Sequence, residues 1–152
     1  MEGASAAVVN KKLFDDNFGD YNDLYDLVKE NRWTYDKFNE YCAGVYNDIN
    51  GNGEKDEEDI IGFHNQGTRT INYLSMSTGL TYMQRDENNV PQLDLYNDLT
   101  IYWVDTLYKL LFTENYSVTP QNGDDAPLYF AEGKSLFYLG TLSYYTELHC
   151  GI

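Results

Sequence analysis

Apolar positions divide the chain into a series of short elements. Leu24, Leu27 and Val28 recur at helical spacing and predict a helix from about Asn22 to Glu30, with Asp20 or Asn22 as its cap. A second helix starts at Thr34, a good N-cap, with Asp36 near its positive end and Trp33 and Phe38 placed as a hydrophobic staple. Phe38, Tyr41, Cys42, Val45 and Tyr46 continue its stripe, so this helix is expected to run up to Asp48. Ile60-Ile61-Gly62-Phe63 is β-branched and short, and reads as extended. Residues from Thr68 to Ser77 predict a helix with Ile71, Leu74 and Met76 inward, ended by Gly79. Leu80 to Arg85 and Val90 to Leu95 alternate about Asp86-Glu87-Asn88-Asn89, the pattern of a hairpin, and Pro91 places the second strand at an edge.

The longest apolar stripe lies between Asn97 or Asp98 and about Glu114. Leu99, Tyr102, Trp103, Thr106, Leu107, Leu110 and Leu111 share one face, which Ile101, Tyr108 and Phe112 widen. That helix is expected at the centre of the core. Val8-Val9-Asn10 reads as a strand end and Lys11 to Asp20 as a polar connector. Asn115 to Asp125 is a loop. A short helix follows Asp125, packed through Leu128, Tyr129 and Phe130 and stopped by Gly133. Ser135 to Leu139 reads as a buried strand, Gly140-Thr141 as a turn, and Leu142 to about His149 as a last helix.

The most informative polar stretch is Asp48-Ile49-Asn50-Gly51-Asn52-Gly53-Glu54-Lys55-Asp56-Glu57-Glu58-Asp59. Calcium takes oxygen ligands, which an EF-hand loop offers at positions 1, 3, 5, 7, 9 and 12. Asp48, Asn50, Asn52, Glu54 (through its carbonyl), Asp56 and Asp59 fill those positions, and Gly53 fills the sharp turn at position 6. A shorter variant closes the shell with Glu57. The extended segment after Asp59 removes the second helix of a calcium sensor, so the expectation is half an EF-hand with a structural calcium.

Charge narrows the partners. The chain has 152 residues and a net charge of -15, from 25 acidic and 10 basic side chains, which argues against nucleic acid and anionic membrane surfaces. No apolar run is long enough for a transmembrane helix, so no direct membrane insertion is expected. Tyrosine is abundant, at 15 residues. Its flat face and polar tip suit sugar stacking as well as the edge of a core. Cys42 is expected as a buried thiol, with a disulfide to Cys150 as the alternative. His64 and His149 lack partners at zinc spacing. No nucleophile elbow or phosphate loop is present, so an enzyme is not expected.

Four stretches, in order, resemble the extracellular solute-binding proteins of ABC transporters, of the large sugar-binding family. They are Trp33-Thr34-Tyr35-Asp36-Lys37-Phe38 (W-T-x-D-x-F), Asp48 to Asp59 followed by Ile60-Ile61-Gly62-Phe63, the hairpin from Gly79 to Leu95, and Phe130-Ala131-Glu132-Gly133-Lys134-Ser135-Leu136-Phe137 (F-x-x-G-K-A-L-F, with Ser135 in place of Ala). The resemblance implies an α+β, helix-rich lobe of a periplasmic-binding-protein-like type II fold, with a small β-hairpin and an EF-hand-like calcium loop. Residues 1–7 read as an expression-derived or disordered start, and residues 8–152 as this single lobe, an internal section of a two-lobed receptor.

The implied function is capture of a sugar or oligosaccharide by lobe closure and delivery to an ABC transporter permease. The implied location is extracellular, as a cell-surface lipoprotein or a periplasmic protein. Tyr138, Thr141 and Tyr144, flanking a predicted strand-to-helix turn, and Trp103 are the candidate ligand-binding residues, against a plain core role for each. The competing reading is a free-standing calcium-stabilised protein-interaction module.

Overall fold

The computed structural model describes residues 5–113 and 116–141. In chain order these form β1 (Ser5–Val9), α1 (Lys11–Phe18), α2 (Asn22–Lys29), α3 (Tyr35–Ala43), β2 (Tyr46–Asn47), β3 (Ile60–His64), α4 (Thr68–Met76), β4 (Met83–Arg85) and β5 (Pro91–Leu93). They continue with α5 (Asp98–Tyr108), a π-helical turn at Lys109–Thr113, β6 (Ser117–Val118), a 3-10 turn at Gly123–Asp125, α6 (Ala126–Ala131) and β7 (Ser135–Thr141). The architecture is mixed α/β, with six α-helices among the described residues.

The main sheet has the order β1-β7-β3-β2, with β6 also paired to β3. β7 is its buried centre: Ser135 to Gly140 are all buried, the continuous apolar run of a strand covered on both faces. It lies antiparallel to β1 and parallel to β3. β4 and β5 make the separate hairpin expected from the alternation. One core joins these layers. Phe38 of α3 meets Phe137 of β7 at 5.0 Å and Phe63 of β3 at 5.5 Å between ring centroids. Phe14, Leu24, Leu27, Leu74, Trp103 and Leu110 complete it from the helices and the π turn.

Local capping rules hold where they were clearest. Thr34 Oγ1 accepts from Lys37 N, and Trp33 and Phe38 meet edge to face at 6.3 Å as the staple. Asn97 Oδ1 accepts from Thr100 N and starts α5. Asp20 caps differently: its Oδ1 accepts from Asn22 N, but the N-cap position itself is Tyr21.

Several expectations are corrected. Residues 5–7 are part of β1, so ordered structure begins before Val8. Lys11 to Phe18 is a helix rather than a connector; Asn10 caps it, and Phe14 and Phe18 pack four residues apart at 5.2 Å under a charged outer face. α5 is not central. Among the described side chains Trp103, Thr106 and Leu110 are buried along it and its π turn, while Ile101, Tyr108 and Phe112 face outward. Met76 points out of α4, and in α6 the buried pair is Ala126 and Pro127 while Leu128 is exposed. Gly140 and Thr141 extend β7 instead of turning. The expected last helix from Leu142 lies outside the described residues.

Candidate functional site

The loop Asp48–Asp59 is held by strands at both ends. α3 stops at Ala43, and Gly44 rests against the Phe18 ring, leaving no room there for a side chain. Tyr46 and Asn47 then pair with Ile61 and Ile60. The expected helical approach is therefore replaced by a two-residue strand, and the loop connects an antiparallel pair. This corrects the half-EF-hand reading: the pattern of oxygen side chains is there, the entering helix is not contiguous with it.

Inside the loop the oxygen side chains turn inward onto backbone N–H groups. Asp48 Oδ1 accepts from Gly51 N at 2.6 Å and its Oδ2 from Gly53 N at 2.9 Å. Asn50 Oδ1 accepts from Asn52 N at 3.0 Å, and Asn52 Oδ1 from Glu54 N at 2.7 Å. Gly53 has φ +76°, the left-handed region where a Cβ is costly. Asp56 Oδ1 accepts from Glu58 N at 2.8 Å, and both asparagine Nδ2 groups donate to its Oδ2. These bonds, the Glu58 backbone first, hold the Asp56 carboxyl below the usual carboxylate range.

Asp59 closes the ring. It is fully buried; Oδ1 accepts from Ile49 N at 3.1 Å and Oδ2 from Asp56 N at 3.2 Å. Glu57 is turned away, its Oε2 accepting from Gln121 N at 2.7 Å. Of the two carboxylates weighed for closing the loop, Asp59 is the one that faces its interior. Glu54 sits at the exposed tip. Among the described residues no three His, Cys, Asp or Glu side chains gather as a group able to hold a metal. Here the carboxylates of Asp48, Asp56 and Asp59 are spent on N–H groups of the loop itself.

His64 ties this loop to the sheet. Its ring is buried and stacks on Tyr129 at 4.6 Å. Nε2 lies 3.1 Å from the Glu57 carbonyl and Nδ1 2.6 Å from Ser135 Oγ. The carbonyl can only accept, so Nε2 carries the proton and Nδ1 accepts from the serine hydroxyl. Burial, outweighing the Glu57 contact, lowers the His64 pKa to about 4. Lys134 adds a second tie, with Nζ 3.0 Å from Glu58 and its carbonyl accepting from Ile61 N.

The described candidate ligand residues, Trp103, Tyr138 and Thr141, are not brought together as a site. Tyr138 is buried against Phe130, and as a neighbour of Phe137 and Leu139 in β7 it points to the opposite face. Trp103 is buried and packs on Tyr35 at 5.3 Å. Both are core residues rather than exposed platforms. Thr141 is half-buried at the end of β7. Tyr144, Cys150 and His149 lie outside the described residues, and Cys42 is a buried free thiol, its pKa raised by burial.

A cavity of about 270 Å³ opens instead between α3, α4 and β1, walled by Trp33, Tyr35, Phe38, Tyr73, Leu74 and Leu139. Tyr35 donates to the Leu74 carbonyl at 2.7 Å and meets Ser77 Oγ at its rim. Trp33 was legible as a staple, but Tyr73 carries no local signal that separates it from the other tyrosines. No described helix is long and apolar enough to cross a membrane. Comparison with family models, with curated proteins and with solved structures finds no match.

Proposed function

We propose that the chain is a lobe, of the type II solute-binding kind, of an extracellular carbohydrate receptor that serves an ABC importer, with a structural calcium in the Asp48–Asp59 loop. The observation that carries this reading is the loop itself, where five oxygen side chains stand in the order the sequence motif requires, each accepting from a loop N–H group that a bound cation would have to displace or share. An all-oxygen set of carboxylates and carboxamides suits a hard cation. Asp48, Asn50, Asn52, Asp56 and Asp59 would hold calcium with their side chains and Glu54 with its carbonyl. Bound there, the cation supplies positive charge to three carboxylates in a chain of net charge -15.

The sugar reading draws support from the aromatic-walled cavity beside Leu139, near the carboxyl end of β7. Open α/β sheets take ligands beyond the carboxyl ends of their parallel strands, and aromatic faces stack on the C–H faces of sugars. A saccharide array on the chain, followed by NMR titration, tests it. Shifts centred on Trp33, Tyr35 and Tyr73 support the proposal. No response to any saccharide, at millimolar concentration and with calcium present, overturns the carbohydrate assignment.

A further inference from the structure

A second cavity, a groove of about 330 Å³, lies between β1 and α2. The buried Phe137 and Leu24 line its base, and Val9, Tyr25 and Val28 its walls. α2 buries Leu24 and Leu27, yet Tyr25 and Val28 remain 54% and 55% exposed. Three residues apart on the helix, these two bring a second apolar strip to the groove. The groove shares only Ala7 and Trp33 with the cavity that Tyr35 and Tyr73 wall.

Among the described residues a single charged side chain lines this groove, Lys11. It follows Val9 and Asn10, so it stands at the Val9 end, away from Ala7. The basic side chains nearby are neutralised: Lys12 by Asp16, Lys29 by Asp26 and Arg32 by Glu30. Lys11 is not. Its ammonium lies 4.3 Å over the Tyr21 ring, and no described carboxylate comes within ion-pair distance of it. Asp15, one turn along α1, is engaged instead by Tyr21 N at 2.8 Å.

We infer that this groove binds a small amphipathic carboxylate, an aliphatic acid of about eight carbons, with its chain between β1 and α2 and its carboxylate on Lys11. The size follows from the volume: at roughly the 30 Å³ that a water takes in the liquid, the groove holds about ten non-hydrogen atoms. The aliphatic body follows from the walls of Val9, Leu24, Val28 and Phe137. The anion follows from the local charge. In a chain with 25 acidic and 10 basic side chains, a groove whose one lining charge is an unpaired lysine is the exception. The acidic groups elsewhere are screened beyond about 8 Å at physiological salt. This inference stands independently of the carbohydrate reading.

The test is an NMR titration of the chain with octanoate at millimolar concentration, with 1-octanol and octylammonium as neutral and cationic controls. Octanoate should give saturable shifts at Leu24, Tyr25 and Val28 and bind more tightly than either control. Lys11 is exposed, so its variants should fold. Lys11→Gln should weaken octanoate about fivefold, the size of a partly exposed ion pair, and leave octanol unchanged. Lys11→Arg should keep octanoate binding, since the charge is kept. The saccharide titration reads Tyr35 and Tyr73, so failure of either reading is seen separately. Equal affinity for octanoate and octylammonium, an octanoate affinity that Lys11→Gln leaves unchanged, shifts confined to Tyr35 and Tyr73, or no saturable shift at Tyr25 and Val28 would each overturn the inference.

Discussion

Asp59 reaches back across the whole loop to Ile49: its Oδ1 accepts the Ile49 amide at 3.1 Å from a site with no solvent exposure. Its other oxygen accepts from Asp56 N at 3.2 Å. One buried carboxylate thus fixes both the beginning and the end of the segment between β2 and β3. Asp59→Ala strands two donors and should cost about 2–4 kcal/mol. Urea denaturation of the two proteins measures it. A loss below about 0.5 kcal/mol, the usual size of a surface substitution, would contradict the role.

His64 makes the fold sensitive to acid. Its pKa falls from 6.5 to about 4 on folding. Between those values the unfolded chain binds the extra proton, so stability is full above about pH 6.5, falls as pH drops towards 4, and levels off below. The loss attributable to this residue is about 3 kcal/mol. His64→Gln should flatten that part of the stability–pH curve relative to the parent protein. Parallel curves for the two would show that the ring is not held neutral by the fold.

Gly62 is required by the closeness of α3 to β3. A Cβ there would meet Cys42 Cβ, Cα and O within 2.7 Å. Two of those atoms are backbone and the third is Cβ, so the contact cannot be relieved by a rotamer change. Gly62→Ala should destabilise by about 2 kcal/mol or more, and trimming Cys42 to alanine in the same protein, which removes only Sγ, should not restore it. Thermal melts of the single and double variants decide; rescue by the double variant would mean the clash is with Sγ and not with the Cys42 Cβ and backbone.

Much of this architecture was legible because it is written locally. The Thr34 cap and the Trp33–Phe38 staple, the Asn97 cap, the Asp86–Asn89 turn and the buried run of β7 all depend on residues within a few positions of one another. What escaped depends on distant partners. α3 loses Tyr46 to the sheet, where it pairs with Ile61 of β3. α1 was hidden by the charged residues on its outer face, although Asn10, Phe14 and Phe18 carried its signal. The parallel pairing of β3 with β7 leaves no mark in either strand.

The candidate site divides in the same way. The order of oxygen donors in Asp48–Asp59 was readable, but the choice between Glu57 and Asp59 rests on Gln121, more than sixty residues away. With 15 tyrosines, the sequence has no means of sorting Tyr138, which is core, from Tyr73, which lines a cavity. Both uses ask for the same flat, amphipathic ring.

The central claim, a calcium-stapled lobe, is tested most directly by melting the chain in calcium and in chelator, with binding heats measured in parallel. Calcium at about one hundred times its Kd adds about 2.7 kcal/mol, which for a chain of this size raises Tm by roughly 5–10 °C. Chelator should abolish the rise, and Asp48→Asn combined with Asp56→Asn should weaken it. Identical melting in calcium and chelator, with no heat of binding, would contradict the account.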